Sequence, residues 1–322
     1  MPASAIARHL IVPFAGRGTP GCRAAVAGLR LPKLEALLAR LTPVHEDIGD
    51  EATLSPPHER ALAEALGIAS ADGCIPWAAM EARAAGLPAT EAGQPWGTAT
   101  LCHWQVGIDD VMLGDPGDIR IDAAESAALL AAARPFFEED GIALHESATP
   151  GRWVVQGAIF DQLPTASIDR AVGYPISQWS PLSEAGRPLR RLQNEMQMLL
   201  YTERVNDERT ARGVPPINSF WLSGTGSLPV AFVPSAAPPV VADALRSPAL
   251  RDDGAAWASA WQALDAGPVA ELLAAATRGE TVALTLCGDR VARRYELRPR
   301  GFAGWARSLF RRPALAPVLE SL

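Results

Sequence analysis

At roughly 150 residues per domain, a chain of 322 residues allows about two domains or one large α/β unit. Its net charge is −7, with 48% hydrophobic and 20% charged residues, which describes a packed globular chain without the field of a general nucleic-acid binder. The apolar runs fall well short of the ~18 residues of a membrane span, and the opening residues lack the basic start and long apolar core of a secretory signal.

Along the chain, His9–Phe14 (HLIVPF), closed by Gly16 and Gly18, reads as a buried first strand. Leu34, Leu37, Leu38 and Leu41 recur at helical spacing. Ser55-Pro56-Pro57 opens a second helix, with Ser55 as its cap, Pro56 in its first turn and Gly67 as its stop. A loop-rich stretch runs to Trp96. TATLCHWQVG and the VML after Asp110 read as strands, and Asp122 with Glu125 forms a capping box that opens a helix from Ala123 to about Glu139.

After Gly141, IALHES and RWVVQG read as strands, Arg187–Tyr201 as a helix, and INSFWLSGTG as a strand entering a glycine loop. SLPVAFVPSAAPPVV, with four prolines, is an exposed connection with one short strand. A helix from about Ala255 to Leu264, the strands TVALTL and RRYEL, and a helix from Gly301 complete an α/β alternation. In that last helix Phe302, Trp305, Ala306, Leu309 and Phe310 draw one apolar stripe, with Arg307, Arg311 and Arg312 beside it. The 301–312 helix therefore suits either the chain's own core or, as a basic amphipathic helix, an anionic membrane or a protein partner. The proline-broken PALAPVLESL after it does not extend the helix.

Four cysteines (Cys22, Cys74, Cys102, Cys287) form no CxxC pair and read as free thiols of a bacterial cytoplasmic protein. The acidic His45–Glu51 run (HEDIGDE) reads as a solvated loop. Asp109–Asp118 lacks the glycine spacing and final glutamate of a calcium loop. Cys102 and His103, adjacent on a strand, face opposite ways and make no thiolate–imidazole pair. No GxSxG elbow or phosphate loop is present. Ser223–Gly226 reads either as an anion-binding turn or as a plain glycine turn. From Arg187 onward polar side chains concentrate: Arg190, Arg191, Asn194, Glu195, Asn206, Arg209 and Asn218. They fit either a helix whose polar residues cap neighbouring loops or a site for a small phosphate or carboxylate.

Asn194-Glu195, Val205-Asn206, Arg209, Gly213-Val214-Pro215-Pro216-Ile217-Asn218 and Gly224-Thr225-Gly226 follow an order that resembles the archaeal-type cofactor-independent phosphoglycerate mutases of the alkaline-phosphatase superfamily. The resemblance implies an alkaline-phosphatase-like α/β core (1–96 and 182–322) with a reduced C-terminal part and a smaller inserted α/β module (97–181). It makes Arg152, on RWVVQG, the counterpart of a substrate arginine. It also implies a metal-binding aspartate at the end of the first strand, where this chain has Pro13-Phe14-Ala15-Gly16. The family nucleophile is a serine followed four residues later by histidine, whereas Ser55 and His58 here are three apart. Late histidine ligands are implied as well, yet no histidine follows His145.

SPPHERALAEALG, CHWQVGIDDVMLGDP and RLQNEMQMLLYT further resemble the bacterial regulatory proteins of RpfE type. The expectation is a non-catalytic regulatory relative without metal or cofactor, binding a small anion through Arg152, Arg190, Arg191, Asn194, Glu195, Asn206, Arg209 and Asn218, or binding a protein. The alternative is an active mutase or phosphatase.

Overall fold

Leu10 and Val12 turn to one side of the first strand and Ile11 to the other, and all three are buried. A strand with apolar residues on both faces belongs in the middle of a covered sheet. The computed structural model, which describes residues 6–87, 93–229, 232–233, 235, 237–297 and 314–322, places it there. Its strands are β1 (Arg8–Val12), β2 (Thr42–Ile48), β3 (Trp96–Cys102), β4 (Trp104–Val106), β5 (Val111–Leu113) and β6 (Ala143–Glu146). β7 (Arg152–Gln156), β8 (Ser219–Gly226), β9 (Val240–Val241), β10 (Val282–Cys287) and β11 (Val291–Glu296) follow. No helix among the described residues is long and apolar enough to cross a membrane.

The chain divides into two compact units. The first takes Met1–Ala52, Pro56–Ile68 and Val233–Leu322. Its sheet runs β2-β11-β10-β1-β9, with β1 parallel to β10 and β9, and β11 antiparallel to both β10 and β2. Leu34 and Leu37 of the helix Pro32–Leu38, and Trp257 and Trp261 of the helix Gly254–Leu264, cover the Leu10–Val12 face. Ala61, from the helix Pro57–Leu66, packs with Ile11 and Cys287 on the other. The buried Asp265 carboxylate accepts the Leu34 N–H at 2.7 Å and so caps the helix Pro32–Leu38.

Several expectations change in this unit. His45–Ile48 belongs to an edge strand rather than a loop. Its acids are paired: Glu46 with Arg293 at 2.7 Å and Asp47 with Arg60 at 2.6 Å, so arginines of β11 and the facing helix let a charged segment join a sheet edge. The helix after Ser55 has Pro56, not Ser55, in the cap position, without a side-chain capping hydrogen bond, and Pro57 in its first turn. PALAPVLESL contains a helix, Leu315–Glu320, because a proline in the first turn removes no intrahelical bond. The 301–312 stretch, expected as a helix, lies outside the described residues.

The second unit comprises Thr53–Ser55 and Ala69–Phe232. Its antiparallel sheet runs β6-β7-β3-β8, and β4-β5 is a separate hairpin. The helices Ala123–Glu139 and Arg187–Thr202 bury Leu129, Phe137, Leu192 and Met196 against Leu101, Trp153 and Phe220 of the sheet. The capping box forms as the sequence predicts, with Glu125 N–H donating to Asp122 at 2.8 Å. A helix, Trp77–Ala84, stands inside the stretch read as loop-rich.

The insert expected at 97–181 lies within this unit. The unit extends beyond it because β8 pairs with β3 along Thr98–Cys102 and the helix Arg187–Thr202 packs on the same sheet. The whole is a mixed α/β protein.

Candidate functional site

In an open α/β sheet, ligands bind beyond the carboxyl ends of the parallel strands. In the first unit the chain itself narrows that position, leaving a pocket of about 340 Å³ whose lining includes Arg17, Arg23, Asp289 and Arg290. β1 runs into Phe14, which is buried, adopts φ 55° and stacks 5.3 Å from the His58 ring. The indole N–H of Trp257 donates to the Phe14 carbonyl at 3.0 Å, and that of Trp261 to the Ala15 carbonyl at 3.2 Å. After β10, Asp289 accepts from Arg17 at 2.5 Å and from the Gly18 N–H at 2.8 Å.

Leu319, Glu320, Ser321 and Leu322 form one wall of that pocket. A Cβ on Gly16 would stand 2.1 Å from the Leu319 carbonyl oxygen, and one on Gly288 2.5 Å from Leu322. Glycine is required at both positions by this approach. The Leu322 carbonyl accepts the Val291 N–H at 3.1 Å. Among the described residues no three His, Cys, Asp or Glu side chains come together to hold a metal ion.

Ser55 and His58, the weak nucleophile candidates, fall in different units. Ser55 is buried and its hydroxyl accepts the Gly73 N–H at 2.9 Å, while its own N–H donates to Asp72 at 2.9 Å. Cys102 and His103 diverge: burial pushes the Cys102 thiol far up, and His103 Nδ1 lies 2.7 Å from the Pro216 carbonyl.

The polar run from Arg187 divides between structure and surface. Arg209 is 1% exposed and its guanidinium bonds the Pro215 carbonyl at 2.9 Å and Glu125 at 2.7 Å. Arg212 also reaches Glu125. Asn206, likewise buried, donates to the Leu200 and Ile217 carbonyls at 2.7 and 2.6 Å and accepts from the Ile217 N–H at 2.7 Å. Asn218 acts as a strand partner to Trp104, accepting its N–H at 2.7 Å and donating to its carbonyl at 2.9 Å. Arg190 holds the Pro181 and Ser183 carbonyls. Arg191 pairs with Asp140 and lies 3.9 Å from Glu195. Arg152 pairs with Glu81 at 3.0 Å.

Of this set, Asn194, Asn206 and Asn218 line one groove of about 740 Å³, a volume typical of small-molecule sites, which span roughly 300–1,000 Å³. Its other polar lining comes from Gln197, Asp207 and Thr210, with the rings of Trp104 and Tyr201. No arginine or lysine is among the lining residues, so the groove supplies no positive charge to an anion. Sequence reasoning missed Trp104, Gln197, Tyr201 and Asp207. The available signal was the spacing Asn194, Gln197, Tyr201, which is i, i+3, i+7 on one helix face.

The Ser223–Gly226 turn is occupied internally as well. The Thr225 hydroxyl is buried and donates to the Leu163 carbonyl at 2.6 Å.

No protein-family model matches the chain, and no curated protein matches it. Among solved structures, a cofactor-independent phosphoglycerate mutase from Thermoplasma acidophilum DSM 1728 is similar at 14% identity, over 90% of this chain and 89% of that one, with a TM-score of 0.39. The PH0037 protein from Pyrococcus horikoshii is similar at 12% identity, over 91% and 88%, with a TM-score of 0.44.

Proposed function

We propose that this chain is a non-catalytic, regulatory relative of the cofactor-independent phosphoglycerate mutases, of the RpfE type, with an alkaline-phosphatase-like core that has lost its phosphoryl-transfer centre. The observation that carries this is the end of β1. There the family pattern asks for a metal-binding aspartate, and this chain has the Phe14 and Ala15 carbonyls bonded to Trp257 and Trp261. Two-metal transfer needs one ion to activate the nucleophile and another to stabilise the leaving oxygen.

The residues present do not fit such a pair. His9 is hydrogen-bonded to Thr285 at 2.8 Å, His45 lies 3.3 Å from Glu64, His58 stacks on Phe14, and His145 packs beside Trp96. The resemblance over Asn194–Gly226 is explained without catalysis, since Asn206, Arg209 and Asn218 build the 212–218 loop and its junction with β4.

Metal analysis of the purified protein together with a 3-phosphoglycerate mutase assay tests this. The expected result is no stoichiometric manganese or zinc and no turnover. Two transition ions per chain with turnover would establish an active mutase and overturn the proposal.

A further inference from the structure

The groove of the second unit differs from the rest of the polar run because part of its lining faces outward with no fold contact to serve. Asn206 and Asn218 are engaged with backbone. Asn194 is exposed and Gln197 half-buried on the helix Arg187–Thr202, and one helical turn on Tyr201 stands 86% exposed. Trp104, half-buried, lines the same space from the hairpin, and Asp207 is exposed beside it.

The donor and acceptor balance selects a ligand class. Each amide offers two donors and an acceptor, and a hydroxyl likewise both donates and accepts. A carboxylate only accepts, and Asp207 alone supplies one. An anion would meet no lining cation. A quaternary ammonium would use the two aromatic rings and Asp207, but would leave the amide donors facing a group that accepts nothing. A neutral ring carrying hydroxyls uses the polar groups and both rings: its edges bond amides and carboxylate, and its apolar faces lie on the indole and phenol rings, which are flat and amphipathic, and on the apolar lining of Val106, Val111, Ile176, Leu200 and Pro216.

We propose that this groove binds a neutral saccharide of one or two rings, with Trp104 and Tyr201 covering the sugar faces and Asn194, Gln197 and Asp207 bonding its hydroxyls. Asn218 is a positioning residue, holding Trp104 through its backbone. The assignment stands whether or not the first unit is catalytic.

The test is saturation-transfer NMR on the full chain with glucose, maltose and N-acetylglucosamine, alongside inorganic phosphate and tetramethylammonium. At least one saccharide is expected to bind in the millimolar range or tighter, and neither charged probe. Tyr201→Ala and Asn194→Ala, both on exposed positions, should each weaken that binding about five- to tenfold, the loss of one ligand contact, with an unchanged melting temperature. The proposal falls if none of the saccharides binds, if both variants bind as the parent does, or if phosphate or tetramethylammonium binds in their place.

Discussion

At the end of β1 the first unit sets two tryptophan N–H groups on backbone carbonyls and packs Leu319 and Leu322 against two glycines. The second unit's groove instead leaves Asn194, Gln197 and Tyr201 turned outward from a helix whose other face is fully packed. Both places are lined by a mixture of polar and apolar residues, so composition does not separate them. What separates them is how far their polar side chains are engaged within the fold, and that depends on residues far away in the chain. Asn206 and Asn218 line the groove and serve the backbone together, which fixes the surface that the outward groups decorate.

The contrast can be broken most severely at Arg209, the point where polar residues of the second unit are purely structural. Arg209→Ala leaves Glu125, which has 11% of its side chain exposed, without its buried partner. Breaking such a pair is expected to cost ~3–5 kcal/mol in urea unfolding, and a loss under ~1 kcal/mol, the range of surface pairs, would show that Arg212 alone suffices.

In the first unit the corresponding probe is pH. Burial first, and Arg294 second, push His9 down from 6.5 to about 4. The unfolded chain takes up a proton that the folded one refuses. The stabilisation is therefore complete above pH 6.5 and fades as pH falls toward 4, by ~3 kcal/mol in total. Unfolding measured across that window should show this slope in the parent and lack it in His9→Gln. An equal slope in both would assign the acid sensitivity to other groups.

A smaller effect is expected from Gly16→Ala, whose new Cβ meets the Leu319 carbonyl. Overpacking of this kind costs ~1–3 kcal/mol. Hydrogen exchange should show the Val291 amide, bonded to Leu322, losing protection while the β1–β10 ladder keeps its own. Unaltered exchange at Val291 would mean that the segment adjusts without leaving.

Much of the fold was legible because its signals are local. A continuous apolar run closed by glycines marks β1, the Asp122–Glu125 box opens its helix, and leucine spacing marks Arg187–Thr202. β2 was not legible as a strand, since an acidic run becomes an edge only when Arg293, some 247 positions away, sits beside Glu46. The helix Leu315–Glu320 was hidden by Pro317, which breaks a helix interior but not its first turn. Gly97, read as a boundary residue, lies inside β3, paired with Val155 of β7 and at a register shift toward β8. Within the site, Asn194, Asn206 and Asn218 stood out in the sequence only as members of one polar run. The engagement of Arg209 was not legible, because Glu125 lies 84 positions upstream.

The sheet order of the first unit also bears on how the chain is made. β1 lies between β10 and β9, so after its own synthesis it has no partner until residues 240–287 have been synthesised. At 5–20 residues per second that wait lasts roughly 10–50 s. The second unit, nearly continuous from Ala69 to Phe232, is complete well before then. During that interval His9–Val12 is an apolar segment with both edges open, which is the condition under which nascent chains aggregate or engage chaperones. A topology that pairs β1 only with strands more than 200 positions later therefore makes this protein's yield depend on what protects Arg8–Val12 in the interval.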